Sequence, residues 1–76
     1  MVIQKVVSID KEIMGGMPVF SGTRVPVRSL IDYLEDGYDI EEFLAHFPTV
    51  KRDQVIQFLE ISAKQFLATH YHEDIA

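Results

Sequence analysis

The chain has 76 residues with a formal net charge of −5, and it contains no cysteine. One domain is expected, near the size where a single core is barely sufficient, with neither a disulfide framework nor a thiolate metal cage to reinforce it. No run approaches the ~18 apolar residues of a membrane span and the first residues do not read as a signal peptide, so a cytoplasmic protein is expected.

The charge is unevenly spread. Residues 1–28 carry four bases (Lys5, Lys11, Arg24, Arg28) and two acids, whereas residues 29–48 carry six acids and no base. A surface facing nucleic acid would have to use the lead-in or the start of the last segment, and the net charge argues against a sequence-wide nucleic-acid binder.

Residues 1–25 read as a β ribbon lead-in. Val2 to Val7 is a predicted strand, and Ser8-Ile9-Asp10 opens a turn toward Ile13. Gly15-Gly16 predicts a tight turn, Val19-Phe20 a short extended run, and Ser21-Gly22 a second turn. Thr23-Arg24-Val25 is expected to be extended, because the residue before Pro26 is pushed out of the α region. Pro18, Gly22, Thr23, Arg24 and Pro26 thus specify a backbone path, and Pro26 suits the first position of a helix. Such a short ribbon has open edges and needs a helix, or another copy, to lie on.

Residues 26–72 read as three helices. The first runs from Pro26 or Val27 to Asp36, with Val27, Leu30, Ile31 and Leu34 at helical spacing and Gly37 closing it. The second is announced by Asp39 and Glu42, a capping box, with Tyr38 and Phe43 as its hydrophobic staple. Ile40, Phe43, Leu44 and Phe47 form its inner face, and Pro48 stops it. The third is predicted to start at Thr49 as N-cap and to continue to about His70. Its apolar residues Val55, Ile56, Phe58, Leu59, Ala63, Phe66 and Leu67 span roughly 180°, where one buried stripe needs about 100°. Phe58, Leu59, Phe66 and Leu67 are therefore candidates for a partner or dimer interface. Residues 73–76 read as a tail. The expected fold is mostly α: a three-helix, homeodomain-like helix-turn-helix with a short N-terminal β ribbon, in a single domain.

The string Gly-Gly-x-Pro-x-x-x-Gly-Thr-Arg-x-Pro-Val, from Gly15 to Val27, resembles the signature of a family of small prokaryotic proteins known as domain of unknown function 433. The resemblance continues through Leu30, Tyr33-Leu34, Gly37, Phe47-Pro48 and Val55. Members are often associated with the antitoxin side of VapB-type toxin–antitoxin pairs, whose partners are PIN-like ribonucleases. The resemblance implies a non-enzymatic antitoxin that docks on such a nuclease, buries its metal chemistry, and as a homodimer represses its own promoter through the third helix. A protein-interaction domain that keeps the helix-turn-helix but binds no DNA is the competing expectation.

Lys51 and Arg52 stand at the start of the third helix, where the macrodipole disfavours cations by ~0.3–1 kcal/mol each. The N-terminal residues of this helix enter the major groove in helix-turn-helix proteins, so phosphate or guanine edges would reward them there. A solvated surface pair, with Asp53 offsetting the dipole, is the plainer account. Gln54 and Gln57 follow on the side expected to be exposed, with Ile61 and Lys64 beyond; Gln reads adenine, and is also a common helix filler. Arg28 could clamp a phosphate or a partner, whereas Arg24 is expected to hydrogen-bond the turn carbonyls of its own lead-in. The acidic block Asp32, Glu35, Asp36, Asp39, Glu41 and Glu42 reads either as a mimic of nucleic-acid charge or as a solubilising face. His46, His70 and His72 lack metal-ligand spacing, and no serine has a His/Asp partner that sequence can place. No cofactor, metal or small-molecule substrate is expected.

Overall fold

The structure, a computed structural model, describes residues 6–70, excluding the side chains of residues 69 and 70. In chain order it has strand β1 (Val7–Ser8), a 3-10 turn (Met14–Gly16), strand β2 (Val19–Phe20), and helices α1 (Val27–Glu35), α2 (Ile40–His46) and α3 (Arg52–His70). It is the mostly helical, three-helix arrangement with an N-terminal ribbon that the sequence predicts. The expected strand at Val2–Val7 is found only at its end, since residues 2–5 lie outside the described part, as does the expected tail at 73–76.

β1 and β2 pair antiparallel, Val7 opposite Phe20 and Ser8 opposite Val19. The Ser21 N–H extends the pairing by donating to the Val6 carbonyl at 2.9 Å. Thr23-Arg24-Val25, expected to be extended, carries no strand of its own; beyond it an isolated antiparallel bridge joins Val19 to Pro26, with the Phe20 N–H donating to the Val25 carbonyl at 2.9 Å and the Val27 N–H to the Pro18 carbonyl at 3.1 Å. Thr23 is drawn into the turn before that bridge. Its hydroxyl donates to the Phe20 carbonyl at 2.7 Å and accepts from the Val25 N–H at 3.0 Å. Thr23, not Arg24, therefore holds the turn carbonyl, and Gly22 supplies the left-handed φ of 79° that the reversal requires.

Pro26 is the N-cap of α1 rather than its first helical residue. The helix ends in a Schellman motif: the Gly37 N–H donates to the Leu34 carbonyl at 3.1 Å and the Tyr38 N–H to the Tyr33 carbonyl at 2.9 Å. Gly37 sits at φ 93°, the left-handed position this closure requires. Tyr38 belongs to that motif, its ring 4.9 Å from Tyr33. The expected Tyr38–Phe43 staple is absent among the described ring contacts; Tyr33 takes that place, 5.5 Å from Phe43. The capping box of α2 is complete, with Glu42 N–H donating to Asp39 and the Asp39 N–H to Glu42.

α3 begins at Arg52, two residues later than a Thr49 cap would place it. The Val50 N–H donates to the Phe47 carbonyl at 3.0 Å, closing a turn that buries Val50. Lys51 then becomes the N-cap, because Gln54 Oε1 accepts from its N–H at 3.0 Å. Phe20, Leu30, Phe43, Val50 and Val55 form the core, with Val25, Tyr33, Ile40, Leu44, Phe58 and Leu59 packed around it.

Phe43 is fully buried, in ring contact with Phe20, Tyr33 and Phe47. Phe43→Ala should therefore cost about 3–5 kcal/mol by chemical denaturation, enough to unfold much of a domain this small. Asp39→Ala should cost about 1 kcal/mol in the same measurement.

Candidate protein-interaction surface

α3 does two jobs along its length. Its first half is fixed to the head by Val55, which is fully buried, and by Phe58 and Leu59, which are half-buried against the core. The second half leaves that core. From Ser62 to Ala68 every described side chain is exposed, Phe66 and Leu67 included at 59% and 47% of their full accessibility. Ile56, at 44%, continues this apolar surface back toward the head. Of the four residues proposed from sequence as an interface, Phe58 and Leu59 serve partly as internal packing. Phe66 and Leu67 are the two presented outward.

Beside the helix runs an apolar groove of about 250 Å³, lined by Val7, Ile9 and Pro18 from the ribbon, Val27 from α1, and Phe58 and Ile61 from α3. Ile9 is 69% exposed on its rim. Sequence reasoning missed this groove and placed Ile61 on the polar side of α3, where it is in fact half-buried. Helical periodicity shows how an element is striped, not which neighbour lies against the stripe. The one available signal was Val7 and Ile9, two apolar residues on the same side of an extended chain.

The residues assigned to DNA from sequence meet different fates. Lys51 and Gln57 are exposed. Arg52 reaches across to α2 and forms an ion pair with Glu41. Arg28 pairs with Asp32 one turn along α1 at 3.1 Å. Gln54 is turned inward, and both ends of its amide are used: Oε1 caps Lys51, and Nε2 donates to the Ser21 carbonyl at 2.9 Å. This glutamine ties the start of α3 to the ribbon turn. The structure thus ties Gln54 to the Lys51 backbone and the ribbon turn, pairs Arg52 with α2, and leaves Arg28 engaged with its own helix.

Arg24 is exposed and lines an open depression with Ile13, Gly22, Thr23 and Thr49. The His46 Nδ1 lies 3.1 Å from the Tyr33 hydroxyl. Among the described residues no three His, Cys, Asp or Glu side chains converge as a metal site requires, and no helix is long and apolar enough to cross a membrane.

Residues 7–60 match the family model described as "Protein of unknown function (DUF433)". The chain belongs to the DUF433 family. No curated protein and no solved structure matches it. The DUF433 match covers the ribbon, α1, α2 and the packed half of α3, and it ends where the exposed half begins. The family thus accounts for the head, while Phe66 and Leu67 lie beyond the matched span.

Gln54→Ala should lower stability by about 1–2 kcal/mol, because the part-buried Ser21 carbonyl loses its donor and α3 loses a cap. Gln57→Ala, on the exposed side of the same helix, should stay within about 0.5 kcal/mol of the parent. Thermal unfolding of the two variants side by side checks the difference.

Proposed function

We propose that this chain is a non-enzymatic, antitoxin-like module that acts as a homodimer, holds a PIN-like ribonuclease and keeps it inactive by covering its metal centre. One observation carries the protein-binding part: the exposed apolar half of α3 stands beside an apolar groove built from the ribbon and α1. Contiguous exposed apolar surface rimmed by polar residues is the usual mark of a protein-binding site. Membership of DUF433 and the resemblance in the Gly-Thr-Arg lead-in supply the class of partner. The acidic residues of α1 and α2 favour a basic partner surface and speed encounter with it.

Promoter recognition is the alternative use of the same helix-turn-helix, and the geometry supports it less. Arg52 is paired with Glu41, Gln54 is consumed internally, and α2, which crosses the DNA backbone in proteins of this kind, opens with Glu41 and Glu42. Exposed Lys51 is the observation that favours DNA. The competing reading, an interaction domain with this fold and no DNA binding, draws on the same facts.

Co-expression with a PIN-like nuclease encoded beside this chain should yield a stable complex without RNA cleavage. Ile9→Asp, a change on the exposed groove rim, should weaken that complex about tenfold, or ~1.4 kcal/mol, and restore cleavage. If the parent protein fails to bind or inhibit the nuclease, the antitoxin reading falls. On upstream DNA, fluorescence anisotropy should show weak binding with a shallow salt slope, since at the head of α3 only Lys51 is outside a described ion pair. A steep slope abolished by Lys51→Ala would favour promoter recognition.

A further inference from the structure

Two polar residues stand where a neighbour performs the structural task that sequence suggests for them. Arg24 is expected to hold a carbonyl of its own turn, yet the Thr23 hydroxyl takes the Phe20 carbonyl at 2.7 Å. Thr49 is the better helix cap by residue type, yet Gln54 serves the start of α3 at Lys51. Arg24 and Thr49 are both exposed, and neither side chain has a hydrogen bond or ion pair among the described residues. The fold sets them on the wall of one open depression of about 630 Å³, between the ribbon turn and the link from α2 to α3. Gly22, Thr23 and Val25 line it beside Arg24, and Ile13 completes it.

The local charge differs from that of the chain as a whole. No lining residue is acidic, and Lys51, two residues beyond Thr49, is exposed and outside any described ion pair. The net charge of −5 resides largely in the six acids of residues 29–48. Arg28 and Arg52 pair with two of these, Asp32 and Glu41. Arg24 pairs with none. Its planar fork matches a carboxylate through two parallel N–H···O bonds.

We infer that this depression binds a carboxylate carried on an apolar stem. Arg24 grips the carboxylate, the Thr49 hydroxyl donates a further hydrogen bond, and Ile13 and Val25 take the stem. Size and lining favour this class over its neighbours. An inorganic anion would fill a small part of the space and leave Ile13 and Val25 in water. A neutral apolar ligand would cover the guanidinium without pairing it, which is unfavourable. An exposed ion pair alone holds little, because water and salt screen it, so the apolar contact supplies much of an affinity in the millimolar range. A free short-chain acid offers this chemistry, and so does the carboxyl end of a polypeptide whose last residue is apolar. The depression shares no lining residue with the groove beside α3, so the inference stands apart from the nuclease reading.

Amide chemical shifts of the full chain, followed during titration with N-acetyl-leucine, test this. Saturable shifts confined to Gly22–Val25 and the neighbourhood of Thr49, at millimolar ligand, are expected. N-acetyl-leucinamide has the same body without the charge, and inorganic phosphate has charge without the body; each should bind about tenfold more weakly. Arg24→Gln should weaken N-acetyl-leucine by about tenfold, and Arg24→Lys, which keeps the charge but not the fork, by less. Arg24 is exposed and unpaired, so Arg24→Gln should unfold at the same temperature as the parent. The inference is overturned by the absence of saturable shifts at these residues, or by undiminished binding to Arg24→Gln or of the amide. Phosphate binding as tightly as N-acetyl-leucine overturns the assignment of the apolar stem. A short peptide ending in leucine then fixes the source. Binding about tenfold tighter than N-acetyl-leucine, and lost when the peptide is amidated, assigns the site to a chain end; equal binding assigns it to a free acid.

Discussion

Phe20 is where the ribbon becomes part of the domain. A two-residue strand pair has too little of its own to stay ordered in water. Phe20 projects from that pair into the helices, with its ring 6.1 Å from Phe43 on α2 and 5.9 Å from Phe58 on α3. It is fully buried, as is its neighbour Val19. The glycines, prolines and Thr23 around it hold the backbone so that this ring enters at the right depth. Without the contact the ribbon has no platform, α3 loses a wall of its socket, and the groove along its side has no second lip.

The division of labour within α3 follows from that socket. Phe58 and Leu59 are the last apolar residues of the helix that reach the core. Beyond them the helix continues for several turns, with Ala63, Phe66 and Leu67 facing outward. Helices in water draw most of their stability from tertiary packing of an apolar face. Past Leu59, α3 keeps apolar side chains exposed that this core does not cover. An excess apolar arc pointed to this from sequence, but the arc alone could not separate the residues that serve the head from those that leave it.

Legibility tracked how local each determinant is. Gly37 and the Asp39/Glu42 pair act within a few residues of chain, and α1 closes and α2 opens where the sequence says. The start of α3 was misplaced because Thr49 is a better cap than Lys51 when judged by its neighbours alone. What decides the matter is the burial of Val50 and the reach of Gln54 to Ser21, 33 residues away in the chain. The same long-range bond explains why Gln54 resembled a base-reading residue: its amide is indeed positioned, but toward the ribbon. Ile61 was missed for a related reason, since no periodicity records that the ribbon lies alongside it.

The two cations at the head of α3 show how a recognisable fold and its familiar use can part company. A helix start disfavours both of them, so each needs a reason to be there. Arg52 has one inside the molecule, since Glu41 on α2 offsets its charge. The backbone of Lys51 is served by Gln54 while its side chain is exposed, so of these two cations Lys51 is the one outside a described ion pair. The helix that would flank the DNA presents carboxylates at its opening, and those carboxylates repel the polymer that a helix-turn-helix ordinarily meets. They do not repel a basic protein. α3 thus runs from a polar start largely committed to holding the fold together to an end whose apolar side chains the fold leaves exposed.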